Sequence, residues 1–464
     1  YTVISPKGRR SMLLKELSFR GSWGVAVKLP SFAILFPEPQ YRTIASFIPP
    51  TAPDGSSYMA YYISPRANLY NPDLKWQRNR QAEIGMDIDL GGNRISLAAY
   101  YNVTRDAYRL TSTYVPFSYN YTSTEALKDH CTIPVENRVY SMDKATGQVT
   151  VSDKTGSMAS QAIPYAVKEG FDGRSYTTND TGIIKRYGVE CIIDFKKVEA
   201  INTTFRIDGS YYGYRSVDTN LEATSPYTST GFDKEPFKYI AFYYGGDSQS
   251  NGSEIKTLKT NLTVTTHIPQ VRLIVSLKLQ ATLLRYQRYL SERGDGSARG
   301  FIAADRSNIL SAVEGSIYDG NNFVVTYPDF VISLEDLRKN PDLIEQIKAN
   351  PDMFGQYAYL PKLKDANKND GNLYSDLSKF AGITTYNWYF GKDYISPYFS
   401  ANISVTKEIG DMASLSFYAN NFFNNLAQVK SSKSNTYSSV SGTAFSNSGY
   451  APGFFYGLSL RLKF

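Results

Sequence analysis

Apolar and polar residues alternate with a period of two, in runs of about ten residues, repeatedly along the chain. Ala82, Ile84, Met86, Ile88 and Leu90 are separated by Glu83, Gly85, Asp87 and Asp89. Gly91-Gly92-Asn93 then leads into Ile95, Leu97, Ala99, Tyr101 and Val103. A period of two is the signature of a strand with unlike faces, and two such runs about a glycine turn predict a hairpin. The design returns at Tyr187–Phe195, which turns near Glu199–Asn202 into Phe205–Tyr211. It returns again from Leu258–Ile268 through Pro269-Gln270 into Leu273–Leu283, and from Phe399–Val405 through Gly410-Asp411 into Leu415–Ala419. Leu17–Val25 and Phe454–Phe464 add two more alternating runs, and Tyr239–Tyr243 a further strand, for about eleven in all.

The connections fall into two classes. The turns within hairpins are short, whereas Pro30–Arg78, Leu110–Thr181, Val217–Phe237, Leu290–Gly391 and Gln428–Ala451 are long. Short turns at one end and long loops at the other are the plan of an outer-membrane barrel, with the long loops outside the cell. The apolar set of each run carries almost no charge. The alternate set holds Glu83, Asp87, Asp89, Glu190, Asp194, Lys196, Arg206, Asp208, Lys278 and Gln280. A Lys or Arg facing hydrocarbon at mid-membrane costs roughly 2–4 kcal/mol, so this set is expected to face a wet lumen. A soluble barrel with its apolar face inward would show the same alternation. Strand number favours the membrane, since about eleven strands enclose a space too wide for side chains to fill.

Composition narrows the reading. Tyr (38) and Phe (25) are abundant among the 464 residues, which suits the two wet rims of a membrane barrel. Fifty basic against 43 acidic residues give a net charge of +7 without a basic run of the kind that binds nucleic acid, so no nucleic-acid partner is expected. Mean hydropathy is −0.35 and no run is long and apolar enough for a membrane helix, which leaves strands as the only spanning elements. Cys131 and Cys191 do not make a disulfide framework. Cys191 shares a strand face with Val189 and Ile193, which points to a free thiol in apolar surroundings. The sequence opens at Tyr1 without an initiator Met or a signal peptide and is read as part of a longer polypeptide.

Little in the chain points to bond chemistry. His130 and His267 are the only histidines, too few for a histidine metal centre, and no phosphate-binding glycine loop is present. No enzyme activity, metal or cofactor is expected. His130 beside Cys131 is the one nucleophile-like pair, and His267 next to Ile268-Pro269 reads as structural. Asp365-Ala366-Asn367-Lys368-Asn369-Asp370-Gly371 with Asp376 has calcium-loop spacing, but its glycine comes one place late, which favours a solvated polar turn. Ser333-Leu334-Glu335-Asp336 opens a helix to Ala349, interrupted at Asn340-Pro341 and stopped at Asn350-Pro351. Tyr114, Phe117, Tyr119, Tyr121, Tyr386, Trp388, Tyr389 and Phe390 lie in the long loops, as stacking faces for a sugar or peptide or as an aromatic girdle.

The last strand carries Phe454, Tyr456, Leu458, Leu460, Leu462 and a terminal Phe464. It resembles the assembly signal that the barrel assembly machinery reads in bacterial outer-membrane proteins. Leu17–Gly24, Asn71-Pro72-Asp73-Leu74-Lys75-Trp76, Gln81–Gly85 with its hairpin to Arg94-Ile95, and Tyr418-Ala419-Asn420-Asn421-Phe422-Phe423-Asn424 resemble stretches of the TonB-dependent receptors of Bacteroidetes, in their SusC/RagA-like branch. The resemblance implies an all-β, transmembrane antiparallel barrel of twenty-two strands. Residues 1–464 would be the carboxy-terminal half of that single barrel domain, the plug, the energy-coupling box and the first strands being missing. It implies active import of an oligosaccharide or oligopeptide across the bacterial outer membrane, in contact with outer-membrane lipid. The partners it implies are a SusD-like surface lipoprotein, which the helix after Ser333 could contact, and a TonB-type energy coupler acting through the missing amino-terminal part. A passive porin or adhesin barrel is the alternative, separated by the presence or absence of plug and coupling box; a soluble glycan-binding β-protein is a third.

Overall fold

The computed structural model describes residues 2–4, 13–64, 69–226, 237–246, 249–293, 295–303, 308–313, 323–385, 390–425, 429–432 and 453–462. Eleven strands join edge to edge in the order in which they occur along the chain. They are β1 (Thr2–Ile4), β2 (Leu14–Lys28), β3 (Gln77–Leu90), β4 (Asn93–Arg105), β5 (Ile183–Asp194) and β6 (Thr203–Val217). β7 (Gly252–Ile268), β8 (Leu273–Leu290), β9 (Tyr398–Ile409), β10 (Ala413–Asn424) and β11 (Phe455–Leu462) complete the row. Every neighbouring pair is antiparallel. The row ends at β1 and β11, each with one neighbour among the described residues.

The expected hairpins form at the expected turns. Gly91 and Gly92 both take positive φ, +62° and +92°, the two-residue turn whose twist matches a hairpin and which favours glycine at both positions. Two other turns share a different device. A short 3₁₀ turn, Glu199–Ile201 or Pro269–Val271, is followed by a left-handed residue, Asn202 or Arg272, that reverses the chain. Gly410 at φ +58° closes the fourth. Because neighbouring strands are antiparallel, all four turns lie at one end of the sheet. The long connections 29–76, 106–182, 218–251, 291–397 and 425–454 lie at the other.

Two expectations are corrected. The strand expected at Tyr239–Tyr243 exists as Tyr239–Tyr244, but it lies outside the wall, pairing with Leu221–Thr224 and Phe330–Ser333 in a small separate sheet. Ile240, Ala241, Phe242 and Tyr243 are buried in succession, so the segment has no wet face to alternate with. The eleventh place is taken by β1, whose three residues are too few to show a period. The second correction concerns Leu110–Thr181, which folds rather than wanders. Tyr108–Tyr121 pairs with Ala166–Asn179 along the full length of both, and a helix (Thr124–His130) and a three-stranded sheet lie between them.

The apolar cores sit in these connections and not in the wall. One cluster joins Tyr114 and Phe171 to Leu221, Ile240 and Phe242 and to Leu334, Leu337, Leu343, Ile344 and Ile347. A second packs Val325, Tyr327, Tyr359, Leu363, Leu377 and Phe380. A third holds Phe47 and Ala60 against Leu127, Cys131, Ile133, Val149, Val151 and Ile163. Each cluster draws on more than one long connection, the second by taking Ala241 from 218–251, and dry packing of this kind, which costs several kcal/mol to open, holds together segments far apart in sequence.

Candidate binding surface on the polar face of the wall

Strand register gathers the polar set of each run onto one face. Asp87 stands opposite Ser96, Ser96 opposite Ile192, Ile192 opposite Asp208, Asp208 opposite Asn261, Asn261 opposite Gln280, and Gln280 opposite Ser400. This is a row of hydrogen-bonding side chains across seven strands, broken only at Ile192. Its members are tied together. Ser96 donates to Asp87 at 2.6 Å, Asn261 donates to Asp208 at 2.6 Å, and Asn402 donates to Gln280 at 2.9 Å. Arg20 reaches Asp87 and lies 3.7 Å from Glu83, and Arg206 lies 3.5 Å from Asp194.

Of the charges expected to face the lumen, Glu83, Asp87, Glu190, Asp194, Arg206 and Asp208 share this face by register. Two neighbouring grooves open on it. One, of about 800 Å³, is lined by Glu190, Arg206, Asp208, Lys259, Asn261 and Asn402 among others. The second, of about 370 Å³, is lined by Asp87, Asp89, Arg94, Ser96, Asp194 and Arg206. Arg206 borders both. The mixture of carboxylates, cations and amides can bind polar groups. Among the described residues no group of three or more His, Cys, Asp or Glu could hold a metal. Asn261, Ser400 and Asn402 were not singled out from sequence, because uncharged polar residues on a strand carry no motif; only register reveals them.

The other face is apolar and bare. Trp23 is 74 % exposed, Ile84 70 % and Leu458 70 %, with Phe19, Val189, Leu279, Phe417, Tyr456, Leu460 and Leu462 also exposed. Leaving such side chains in water forfeits about 1.5–3 kcal/mol each. Leu273 to Ala281 spans about 27 Å along β8, or about 21 Å of height at the usual tilt near 40°, close to the ~25 Å apolar band of outer-membrane barrels. Of the carboxy-terminal set, Tyr456, Leu458, Leu460 and Leu462 lie on this face, paired with Ala419, Phe417, Leu415 and Ala413. Phe464 lies outside the described residues.

The loop aromatics divide. Tyr114 is 8 % exposed and meets Phe171 and Phe237 edge-on, inside the first cluster, which leaves it no free face for a ligand. Phe117 and Tyr119 stack on each other at 5.9 Å and on Tyr62, with Tyr119 itself buried. The Tyr121 ring carries the Lys168 ammonium at 4.0 Å. Tyr386, Trp388 and Tyr389 lie outside the described residues; Phe390 is buried.

Other candidates resolve into packing. Cys131 is buried in the third cluster while His130 is exposed, so no thiol–imidazole pair forms. Cys191 is a free, half-buried thiol on the apolar face. His267 has its Nε2 3.9 Å from Glu408 near the short turns. The polar turn expected over Asp365–Gly371 is instead the end of a helix, Tyr359–Asn369, with Asp370 capping the next helix, Gly371–Ser378, through the backbone N–H groups of Asn372 and Leu373. Tyr359, Leu363 and Ala366 are buried at helical spacing beneath the polar residues, a signal that the run of Asp and Asn masks. The helix after Ser333 forms as read, as Leu334–Lys339 with a capping box from Ser333 and Asp336, then Leu343–Ala349.

Where β6 leaves the wall, charges cluster under cover. Arg109 pairs with Asp218 and lies 3.6 Å from Glu222, and Lys348 lies 3.4 Å from Glu222. Burial pushes the Asp218 carboxyl up to about 7; Arg109 opposes the rise and Asp180 adds to it. This cluster joins three long connections at the root of the folded loops. Comparison with family models, with curated proteins and with solved structures gave no match to this chain.

Proposed function

We propose that this chain forms about half the wall and the external loops of a TonB-dependent outer-membrane receptor that imports a polar oligomer, an oligosaccharide or an oligopeptide. One observation carries the reading. The grooves open on the polar face while the apolar face of the same strands is bare, which is the reverse of a water-soluble barrel and matches a wet lumen inside a lipid-facing wall. An open row of strands leaves unpaired backbone at β1 and β11, so closure by further strands belongs to the proposal. Interlocked loops with dry cores favour a gated receptor, since a passive pore has no need to cover its mouth. The SusD-like lipoprotein, the TonB-type coupler and the barrel assembly machinery are the partners this reading assigns, in the bacterial outer membrane.

The test is uptake of labelled oligomers by cells that carry the full-length protein, before and after collapse of the proton-motive force. Uptake that stops on collapse supports coupled import. Uptake that continues unchanged would identify a passive pore.

A further inference from the structure

On β2 to β5 the apolar face ends in a row that register places side by side: Trp23, Ala82, Tyr101 and Tyr187. The next row toward the long connections holds Val25, Arg80, Val103 and Lys185, and the row beyond it Val27, Arg78 and Arg105. Rows on one face are about 6.8 Å apart and strands about 4.8 Å, so four cations occupy a patch of about 10 Å by 7 Å. Arg78, Arg80 and Arg105 are exposed and Lys185 is half-buried.

Two features set this patch apart from ordinary surface charge. Arg78 and Arg105 stand directly opposite each other, an arrangement that destabilises a strand pair unless an anion lies between them. Among the described residues none of the four has an ion-pair partner. Cations of the same belt on the following strands are neutralised: Arg215 pairs with Glu292 at 2.6 Å, and Lys256 with Glu254 at 2.8 Å. The unneutralised section is thus confined to three adjacent strands, β3 to β5, directly above exposed Trp23, Ile84, Tyr101 and Val189.

We propose that Arg78, Arg80, Arg105 and Lys185 bind the phosphate-bearing headgroup of an outer-leaflet lipid, whose acyl chains lie along Trp23, Ile84, Tyr101 and Val189. This inference rests on the membrane reading of the apolar face. Guanidinium forks match phosphate oxygens in pairs, and the aromatic row marks the depth at which headgroup gives way to hydrocarbon. A purely polar anion would satisfy the cations but leave the adjoining apolar face bare, which is why an amphiphile fits and a free anion does not.

The experiment uses the full-length protein purified from outer membranes in a non-ionic detergent. Binding is measured to mixed micelles holding a phosphorylated outer-leaflet glycolipid, to the same micelles with its dephosphorylated form, and to inorganic phosphate alone. Tight binding of the phosphorylated lipid only, weakened about tenfold by Arg78→Gln or Arg105→Gln and more by both, supports the proposal, each charge-assisted contact being worth about one order of magnitude. Arg215→Gln, which changes a paired cation of the same belt, leaves binding within about twofold. Equal binding of the two lipid forms overturns the proposal, as does equally tight binding of inorganic phosphate, or binding that the paired Arg78→Gln and Arg105→Gln changes do not alter. Recovery in the membrane fraction separates the two levels of the argument. A protein that is absent from membranes refutes the membrane reading itself, whereas one that is embedded but indifferent to phosphate refutes the headgroup site alone.

Discussion

Asp218 carries a raised pKa at a junction, and its sign fixes a pH dependence. In the unfolded chain the carboxyl titrates near 3.8, and in the folded protein at about 7. Protonation therefore favours the folded state. The advantage is complete below about pH 4 and is lost as pH rises toward 7, with an upper bound of about 4 kcal/mol. Thermal melting of the detergent-solubilised protein is expected to fall between pH 5 and pH 8, and Asp218→Asn to flatten that slope. A wild-type melting temperature that does not change over this range would contradict the burial assigned to the cluster. None of this was legible in the sequence, because Arg109, Asp180, Asp218 and Lys348 are brought together from segments far apart. That Glu83, Asp87, Glu190, Asp194, Arg206 and Asp208 share one face was legible, since each announces its face by its place in an alternating run.

Elements were readable wherever their two sides meet different surroundings. Strands β3 to β10 each have a bare apolar face and a polar one, so period two survives in the sequence. It fails where both sides are dry, or where a strand carries polar and apolar residues on both faces. Ile240–Tyr243 is apolar on both faces, and Tyr108–Tyr121 mixes Tyr, Thr and Ser with no clean period, so neither could be placed correctly from pattern. The helix after Ser333 was readable because capping residues and prolines mark its ends, and its place in a core explains its two apolar turns. Ile347→Ala is expected to destabilise the folded loops by about 2–4 kcal/mol, and Ser333→Ala by about 1 kcal/mol. Limited proteolysis of the purified protein measures this. Cleavage within 291–397 should accelerate while the strands of the wall resist, and simultaneous loss of both would show that wall and loops do not fold as separate cooperative units.

At the scale of the molecule, the proposed division of lipid and water between the two faces of one sheet has a direct consequence. It makes adjacent residues of one strand behave in opposite ways. Val189→Arg places a cation against hydrocarbon and is expected to cost roughly 2–4 kcal/mol and to lower the amount assembled in outer membranes. Glu190→Arg, one residue on, changes charge on the polar face and should leave assembly near the wild-type level, as judged by membrane fractionation and by heat-dependent gel mobility. Architecture was the most legible property of this sequence, because the alternation of short turns and long connections is a count along the chain. Closure was not legible, because an alternating pattern records the faces of a strand and not which edges meet.

The most direct measurement is of spin labels at single cysteines, in protein whose Cys131 and Cys191 have been replaced by alanine, reconstituted at full length in lipid. Labels at Ile84→Cys and Ile207→Cys should collide with oxygen dissolved in the bilayer and be shielded from a water-soluble nickel complex. Labels at Glu83→Cys and Asp208→Cys should show the opposite. If the labels at Ile84 and Ile207 were shielded from both reagents, the apolar set would be the inside of a packed core, and the lipid-facing wall would be ruled out.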